Sequence, residues 1–415
     1  MTTDASRDSD LIYGQLAAWL ATQGLGETGL DQAGQSLNNI GALPFSELFA
    51  GFCTRVNDWI CPLWRSTLGL EVLNPELSGS QLIWRDGALT RTEVNRAGIT
   101  TRTDYLRSAI YVVDTTNRPF RWHLPQPVPD MELIERFHRE NGLTDYFVMP
   151  LPFQDATRTS TMSFATTRAG GFSDLDLERL QMAARIWSSV AERWVLRHIA
   201  LDLLAHYLGR GPAERVYAGQ IERGDVARIE AAILICDLRN FTAMTDNAQH
   251  GEIVTLLNRW FEVIGAAIGA HRGDILKFMG DGLLAVFPLE GTRSTTCDRA
   301  LDAAVACLSG TEALNQALAQ EGRAPLVFGI GLHWGEVEFG NIGTRDRLDF
   351  TVIGPAVNIA SRLQELTKLV GTPILTSAAF AAEGSRTLHH LGGRRVRGLQ
   401  GGIEVFSPTE VPPAA

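Results

Sequence analysis

Two aspartates separated by 44 positions are the residues of this sequence best suited to metal chemistry. Asp237 ends a continuous apolar run, Ala231-Ala-Ile-Leu-Ile-Cys236. Asp281 sits in Met-Gly-Asp-Gly282, between two further apolar runs. A carboxylate at the end of a buried strand is costly unless something pairs with it. Two carboxylates brought together repel unless a cation lies between them. Mg²⁺ suits such a pair, because it takes one or two carboxylates and completes its shell with phosphate oxygens and water. The turn after Asp237 contains Asn240 and Thr242, whose backbone N–H groups could face a phosphate. A second constellation is Asn358 and Arg362, four apart near the start of a helix opened by Gly354-Pro355, where a fixed positive charge can address a phosphorylated ligand. Taken singly, each has a plainer reading: Asp237 as a helix cap, Asp281 as a turn residue, and Asn358 with Arg362 as the solvated face of an amphipathic helix.

These residues need elements to hold them. Residues 231–237 read as a buried strand and 251–271 as a helix. A hairpin follows over 274–288, its glycines supplying the positive φ of a tight turn. Its position next to the first strand would set Asp281 beside Asp237, with Lys277 on the incoming strand. A helix (297–320), a strand (326–333), a helix (355–370) and short strands toward 406 complete an α+β order, with the helices expected on one face. Ile359, Leu363, Leu366 and Val370 form the core side of the last helix.

The motifs Cys-Asp-Leu-Arg-Asn-Phe-Thr (236–242), Lys-Phe-Met-Gly-Asp-Gly (277–282) and Asp-Phe-Thr-Val-Ile-Gly-Pro-Ala-Val-Asn-Ile-Ala-Ser-Arg (349–362) stand in that order. With Gly329-Ile-Gly-Leu-His-Trp-Gly-Glu336 and Gly340-Asn-Ile-Gly343, they closely resemble the catalytic domain of class III nucleotidyl cyclases, the adenylate/guanylate cyclase family, over about residues 225–407. The resemblance implies a ferredoxin-like catalytic domain at 230–410. It implies that Asp237 and Asp281, with the carbonyl of Leu238, bind two Mg²⁺ or Mn²⁺ ions. Lys277 and Thr351 fall at the purine-reading pair, Asn358 at the ribose-orienting residue and Arg362 at the one that stabilises the transition state. Phe241, Thr242 and Arg397 join the substrate-binding set, Arg397 toward the terminal phosphates where many relatives have Lys. Two positions depart from the family pattern. Asn240 replaces a usual Gly in the phosphate loop, and Asn tolerates left-handed backbone. Pro355 replaces a common Asp or Asn.

The resemblance further implies an active site shared between two cyclase domains arranged head to tail, with the Asp pair and Lys277 opposite Asn358 and Arg362 of the partner. A homodimer with two symmetric sites follows. Lys277 donates only, whereas Thr351 donates and accepts. Adenine offers an acceptor at N1 and a donor at its amino group, so the pair favours ATP over GTP. The expected activity is adenylate cyclase, with guanylate cyclase or a silent nucleotide-binding module as alternatives.

Upstream, residues 1–35 read as a polar tail with one short apolar patch, Leu16 to Leu20. Residues 36–200 mix helix- and strand-like patterns. Tyr105–Val113, Tyr146–Phe153 and Ser160–Thr166 read as strands, the last half-buried. Their order resembles an α/β GAF-type sensor taking an unknown small-molecule or protein input. Scattered tryptophans (Trp59, Trp64, Trp84, Trp122) are candidates for a ligand pocket or for core. Ser173-Asp-Leu-Asp176 opens a long helix with Leu177, Leu180, Ala184, Trp187, Ala191 and Trp194 at alternating steps of three and four. That stripe serves equally a coiled-coil partner helix or the sheet of its own domain. Residues 201–229 read as a Gly- and Pro-punctuated connector.

Composition bounds the rest. The 415 residues suggest two to three domains, and 45% hydrophobic with 20% charged residues excludes disorder of the whole chain. No 18-residue apolar run stands out and the first ten residues lack a secretory pattern, so the expected setting is cytoplasmic, with no membrane span. A net charge of −10 argues against a nucleic-acid partner. The five cysteines fit reduced thiols. Only two of the 37 basic residues are lysines, Lys277 and Lys368.

Overall fold

The computed structural model describes residues 2–22, 28–30, 36–38, 44–71, 77–95, 102–124, 126, 131–154, 160–241, 244, 251–396 and 402–409. It divides into two compact units, Met1–Leu203 and Leu204–Ala415.

The first unit is built on a six-stranded antiparallel sheet in the order Ala88–Asn95, Leu77–Arg85, Arg65–Glu71, Thr161–Thr166, Asp145–Pro150, Phe120–His123. Helices Thr2–Thr22, Phe45–Trp59 and Asp174–Leu208 supply the core against one face. The long-helix stripe belongs to that core. Trp187 is fully buried, with Phe45, Phe49 and Phe52 at 5.6, 5.7 and 4.9 Å between ring centroids. Ser173 donates from its backbone N–H to the Asp176 carboxylate at 2.8 Å, the expected opening of the helix.

Three expectations change here. The Thr2–Thr22 helix is no free tail, since Leu16 and Leu20 lie in the core. Tyr105–Val113 forms no strand: it lies in helices Thr103–Leu106 and Ala109–Thr116. The Ser108 hydroxyl accepts from the Tyr111 N–H at 3.2 Å, an N-cap that outweighs the β-propensity of the Ile-Tyr-Val-Val run. Thr161–Thr166 is buried throughout, because its central place in the sheet covers both faces.

The second unit holds an eight-stranded sheet. Its order is Asp274–Met279, Gly282–Pro288, Val226–Leu238, Phe328–Gly343, Ile374–Ser377, Ile403–Pro408, Leu388–Arg394, and Leu348–Ile353 pairs separately with Phe328–Gly343. Helices cover both faces, not one. Ala232, Leu234 and Cys236 point into a core shared with helices Glu252–Ala270 and Arg293–Gln320. Ala231, Ile233 and Ile235 point the other way, under Ala356 and Ala360 of helix Pro355–Val370 and under Phe350 and Val352. A strand apolar at every position demands cover on both sides. Glu252–Ala270 is also the one helix, among the described residues, long and apolar enough to cross a membrane by length and composition, with a mean hydropathy of 1.3. Its Leu256, Trp260, Ile264 and Ile268 pack instead into the core.

The connector is more ordered than its composition suggests. The long helix runs to Leu208, Gly209 breaks it at φ 87°, and Arg210–Tyr217 forms a further helix. The strand ending at Asp237 and Leu238 begins at Val226, earlier than read from the sequence.

Candidate active site

Asp237 is the penultimate residue of its strand, on the face of Ile233 and Ile235. The hairpin closes through the two-residue turn Gly280–Asp281, with Gly280 at φ 67° and Met279 opposite Gly282. Gly282 in turn pairs with Asp237. A Cβ on Gly282 would stand 2.6 Å from Asp237 Oδ1, so the close approach requires glycine. The Leu238 N–H donates to the Asp281 carbonyl at 3.3 Å, which fixes the turn beside the strand end.

Burial, and then the negative charge of Asp281, push the Asp237 carboxyl up to about 6. An acid pair held together without a compensating cation is the donor set a divalent ion fits. Among the described residues no group of three His, Cys, Asp or Glu side chains could hold a metal. The site therefore suits an ion that finds its remaining ligands on a phosphate and water. The Leu238 side chain is buried in the core, which leaves its backbone carbonyl as the group it can offer.

Beyond the strand, Asn240 adopts φ 60°, the left-handed geometry anticipated for it. Phe241 packs partly buried against the helix-covered core. Thr242 and Arg397 lie outside the described residues. Arg239 escaped the sequence reading. Its Nε and Nη2 are buried without a partner among the described residues, and burial lowers its pKa.

Lys277 and Thr351 line one open cleft of about 570 Å³, together with Tyr207, Arg210, Phe278 and Asp349. Lys277 Nζ donates to Asp349 Oδ2 at 2.6 Å, and this bond holds the Asp349 carboxyl below its usual range. Asp349 is a second omission. It precedes Thr351 by two on strand Leu348–Ile353, so period-two alternation sets both on one face, a signal present in the sequence.

Asn358 and Arg362 sit on helix Pro355–Val370 with Pro355 in its first turn. Glycines let the helix approach the sheet: a Cβ on Gly331 would lie 2.1 Å from the Ala360 carbonyl, and one on Gly335 3.0 Å from Ala356 Cβ. Ala356, Ala360 and Leu363 are buried while Asn358 is exposed, and Arg362 Nη1 binds both Glu365 oxygens at 2.7 and 2.8 Å. Gly335 pairs with Ala231, six residues up the ladder from Asp237, or about 20 Å at 3.3 Å per residue. The structure thus joins Asp237 with Asp281, and Lys277 with Thr351. Helix Pro355–Val370 runs back along strand Phe328–Gly343, with Ala356 over Gly335 and Ala360 over Gly331, whose partner Ile235 is two residues from Asp237.

This unit thus sets a strand-end and hairpin-tip acid pair on a mainly antiparallel sheet with helices on both faces. Residues 227–399 match the family model "Adenylate and Guanylate cyclase catalytic domain". Among characterised proteins, Adenylate cyclase 1 of Rhizobium meliloti (strain 1021) is 28% identical over 260 residues, 60% of this chain and 38% of that protein. An adenylate cyclase of Anabaena cylindrica is 36% identical over 159 residues, 37% of this chain and 31% of that protein. The chain therefore spans about a third of the length of these relatives. Among solved structures, the guanylyl cyclase Cya2 matches at 29% identity and a TM-score of 0.40, covering 46% of this chain and 95% of that one.

Proposed function

We propose that the protein is an adenylate cyclase that converts ATP to 3′,5′-cyclic AMP and pyrophosphate, working in the cytoplasm as a homodimer with its first unit as a GAF-like regulatory domain. The observation that carries this reading is the uncompensated Asp237–Asp281 pair, held by backbone pairing inside a segment that matches the cyclase catalytic domain.

In this reading the ribose 3′-hydroxyl attacks the α-phosphorus, a new P–O bond forms, and the bond to pyrophosphate breaks. Two Mg²⁺ or Mn²⁺ ions, when bound, lower the pKa of that hydroxyl and neutralise charge on the phosphates. Asp237 and Asp281 hold the ions, with the Leu238 carbonyl. Asn358 orients the ribose, and Arg362 places a guanidinium where negative charge grows on the phosphate oxygens. In this reading both residues come from the second chain of the homodimer, opposite the acid pair. Phe241, Thr242 and Arg397 complete the phosphate contacts. Five free cysteines, all buried, suit a reducing compartment.

Lys277 donates to adenine N1 while Thr351 accepts from the amino group. Guanine sets a donor against Lys277, and a mismatched buried polar pair costs about 1–3 kcal/mol. Values of kcat/KM for ATP and GTP under one metal test the reading, with ATP expected to lead by about ten- to hundredfold. A GTP preference turns the assignment to guanylate cyclase. No turnover of either nucleotide with Mn²⁺ turns it to a silent nucleotide-binding module.

A further inference from the structure

Lys277 reaches its cleft by way of an irregularity in its strand. Strand Asp274–Met279 pairs Ile275 with Ala285 but Lys277 with Leu284, so Leu276 is the extra residue of a β-bulge. Directly opposed residues share a face. A regular ladder would leave Lys277 on the face of Ile275 and Ala285, which packs on helices Glu252–Ala270 and Arg293–Gln320. The bulge moves it to the face of Leu284 and Ile235, the face that also bears Asp237.

A second device then holds the side chain still. Lys277 Nζ donates to Asp349 Oδ2 at 2.6 Å, with both side chains about half exposed on the open cleft of about 570 Å³. Phe350 and Val352 are buried, so Asp349 and Thr351 share the other side of their strand, and both line the cleft. Exposed ion pairs add little to stability, so the fold itself gains little from this one. A lysine ammonium is a point charge on a flexible four-carbon stem, with three donors that turn freely. One donor fixed on Asp349 leaves the other two with set directions.

We propose that Asp349 is a positioning residue that sets nucleotide choice: by holding the Lys277 ammonium, it fixes which edge atom of the purine the lysine can address. The proposal rests on the reading of Lys277 and Thr351 as the purine pair. Adenine presents an acceptor at N1 beside its amino donor, and a lysine held at N1 with Thr351 at the amino group meets both. Guanine presents a donor at N1 and an acceptor at O6. A free lysine would swing to O6 and accept guanine. A tethered one stays against the N1 donor, and that unmet contact rejects the wrong base. Asp349 thus acts through Lys277 and touches no reacting atom.

The test is kcat/KM for ATP and GTP under one metal, in wild type, Asp349→Ala and Asp349→Glu. Asp349→Ala is expected to narrow the ATP preference about fivefold or more, through a higher KM for ATP and better use of GTP, with kcat for ATP within about twofold of wild type. Asp349→Glu keeps the carboxylate and should recover most of the preference. The pairing itself has a readout that needs no turnover. Lys277 and Lys368 are the only lysines, so reductive methylation with isotope-labelled formaldehyde gives one NMR signal from each, assigned with Lys368→Arg. Asp349→Ala should displace the Lys277 signal and leave that of Lys368 in place. An unmoved Lys277 signal overturns the proposal. An ATP preference present in wild type and kept in Asp349→Ala overturns it alone and spares the purine pair. A wild type without ATP preference brings down the purine-pair reading, and the role of Asp349 with it.

Discussion

The two units each hold a pair of like charges side by side, of opposite sign and in opposite settings. In the second unit, Asp237 and Asp281 meet where a strand ends and a hairpin turns, open to ligands from the edge. In the first, Arg65 and Arg85 meet within the sheet, under a helix that brings rings and a buried histidine. Backbone pairing enforces both encounters, because side chains follow the ladder whatever their charge. A fold can thus store unmet charge in its register and leave a ligand to meet it. A strand end is open to a small hydrated ion, whereas the covered face is closed by its own packing.

The largest effect expected on this comparison comes from removing one carboxylate. Asp237→Ala or Asp281→Ala should cut cyclase turnover by about a thousandfold or more while circular dichroism and thermal melting show the fold retained. Near-normal Mg²⁺-dependent turnover in either variant would remove the acid pair from the chemistry. Next is recovery by mixing. Asp281→Ala and Arg362→Ala chains are each expected to be inactive, and after subunit exchange an equal mixture should regain about a quarter of wild-type activity, since half the dimers then carry one intact site of two. Exchange without recovery would break the two-chain site.

A third test uses the two buried histidines, His138 in the first unit and His333 in the second, both pushed down to about 4 by burial. The unfolded chain protonates them near 6.5, so it binds more protons than the fold between pH 4 and 6.5. Stability from each is complete above 6.5 and is lost as pH falls toward 4, on the order of 3 kcal/mol per group. Urea unfolding across this range should show a shallower acid loss in His333→Gln, and the same slope as wild type would count against burial as the cause. The smallest effect sharpens the comparison itself. In chelator at pH 8, Asp237→Asn should be about 1 kcal/mol more stable than wild type, through relief of repulsion. Mg²⁺ with a non-hydrolysable ATP analogue should then stabilise the wild type and not the variant.

The catalytic unit was largely legible because its residues act through local rules. A Gly-bearing turn between apolar runs signals a hairpin, and Asn240, at a position where the resembled family has Gly, is a residue that tolerates the left-handed backbone it adopts. Helices on both faces were missed, although the unbroken apolar run 231–236 implies them once alternation is found wanting. Asp349 shares the face of Thr351 by simple alternation, but its ion pair to Lys277, 72 positions away, is a contact that no local pattern encodes. The first unit was harder to read. Tyr105–Val113 carries strand-forming side chains, and a single serine cap decides for helix. The Arg65–Arg85 encounter exists only once two strands adopt their register, and neither arginine is unusual in sequence.

Asn341 carries a consequence of another kind. Its N–H donates to the Asp225 carbonyl at 3.1 Å, its carbonyl accepts from the Gly224 N–H at 3.0 Å, and its side-chain amide donates to the Gln220 carbonyl at 2.7 Å. These bonds rivet the last turns of the connector to the distal half of strand Phe328–Gly343. The neighbouring Gly340 is the residue opposite Thr351. The same strand reaches the acid pair only at its other end, where Gly329 lies opposite Asp237. A pull or twist entering through the connector is therefore felt first at the cleft of Lys277 and Thr351 and last at the Asp237–Asp281 pair. In hydrogen exchange, the Gly224 and Asn341 amides should open together, ahead of the amides around Cys236.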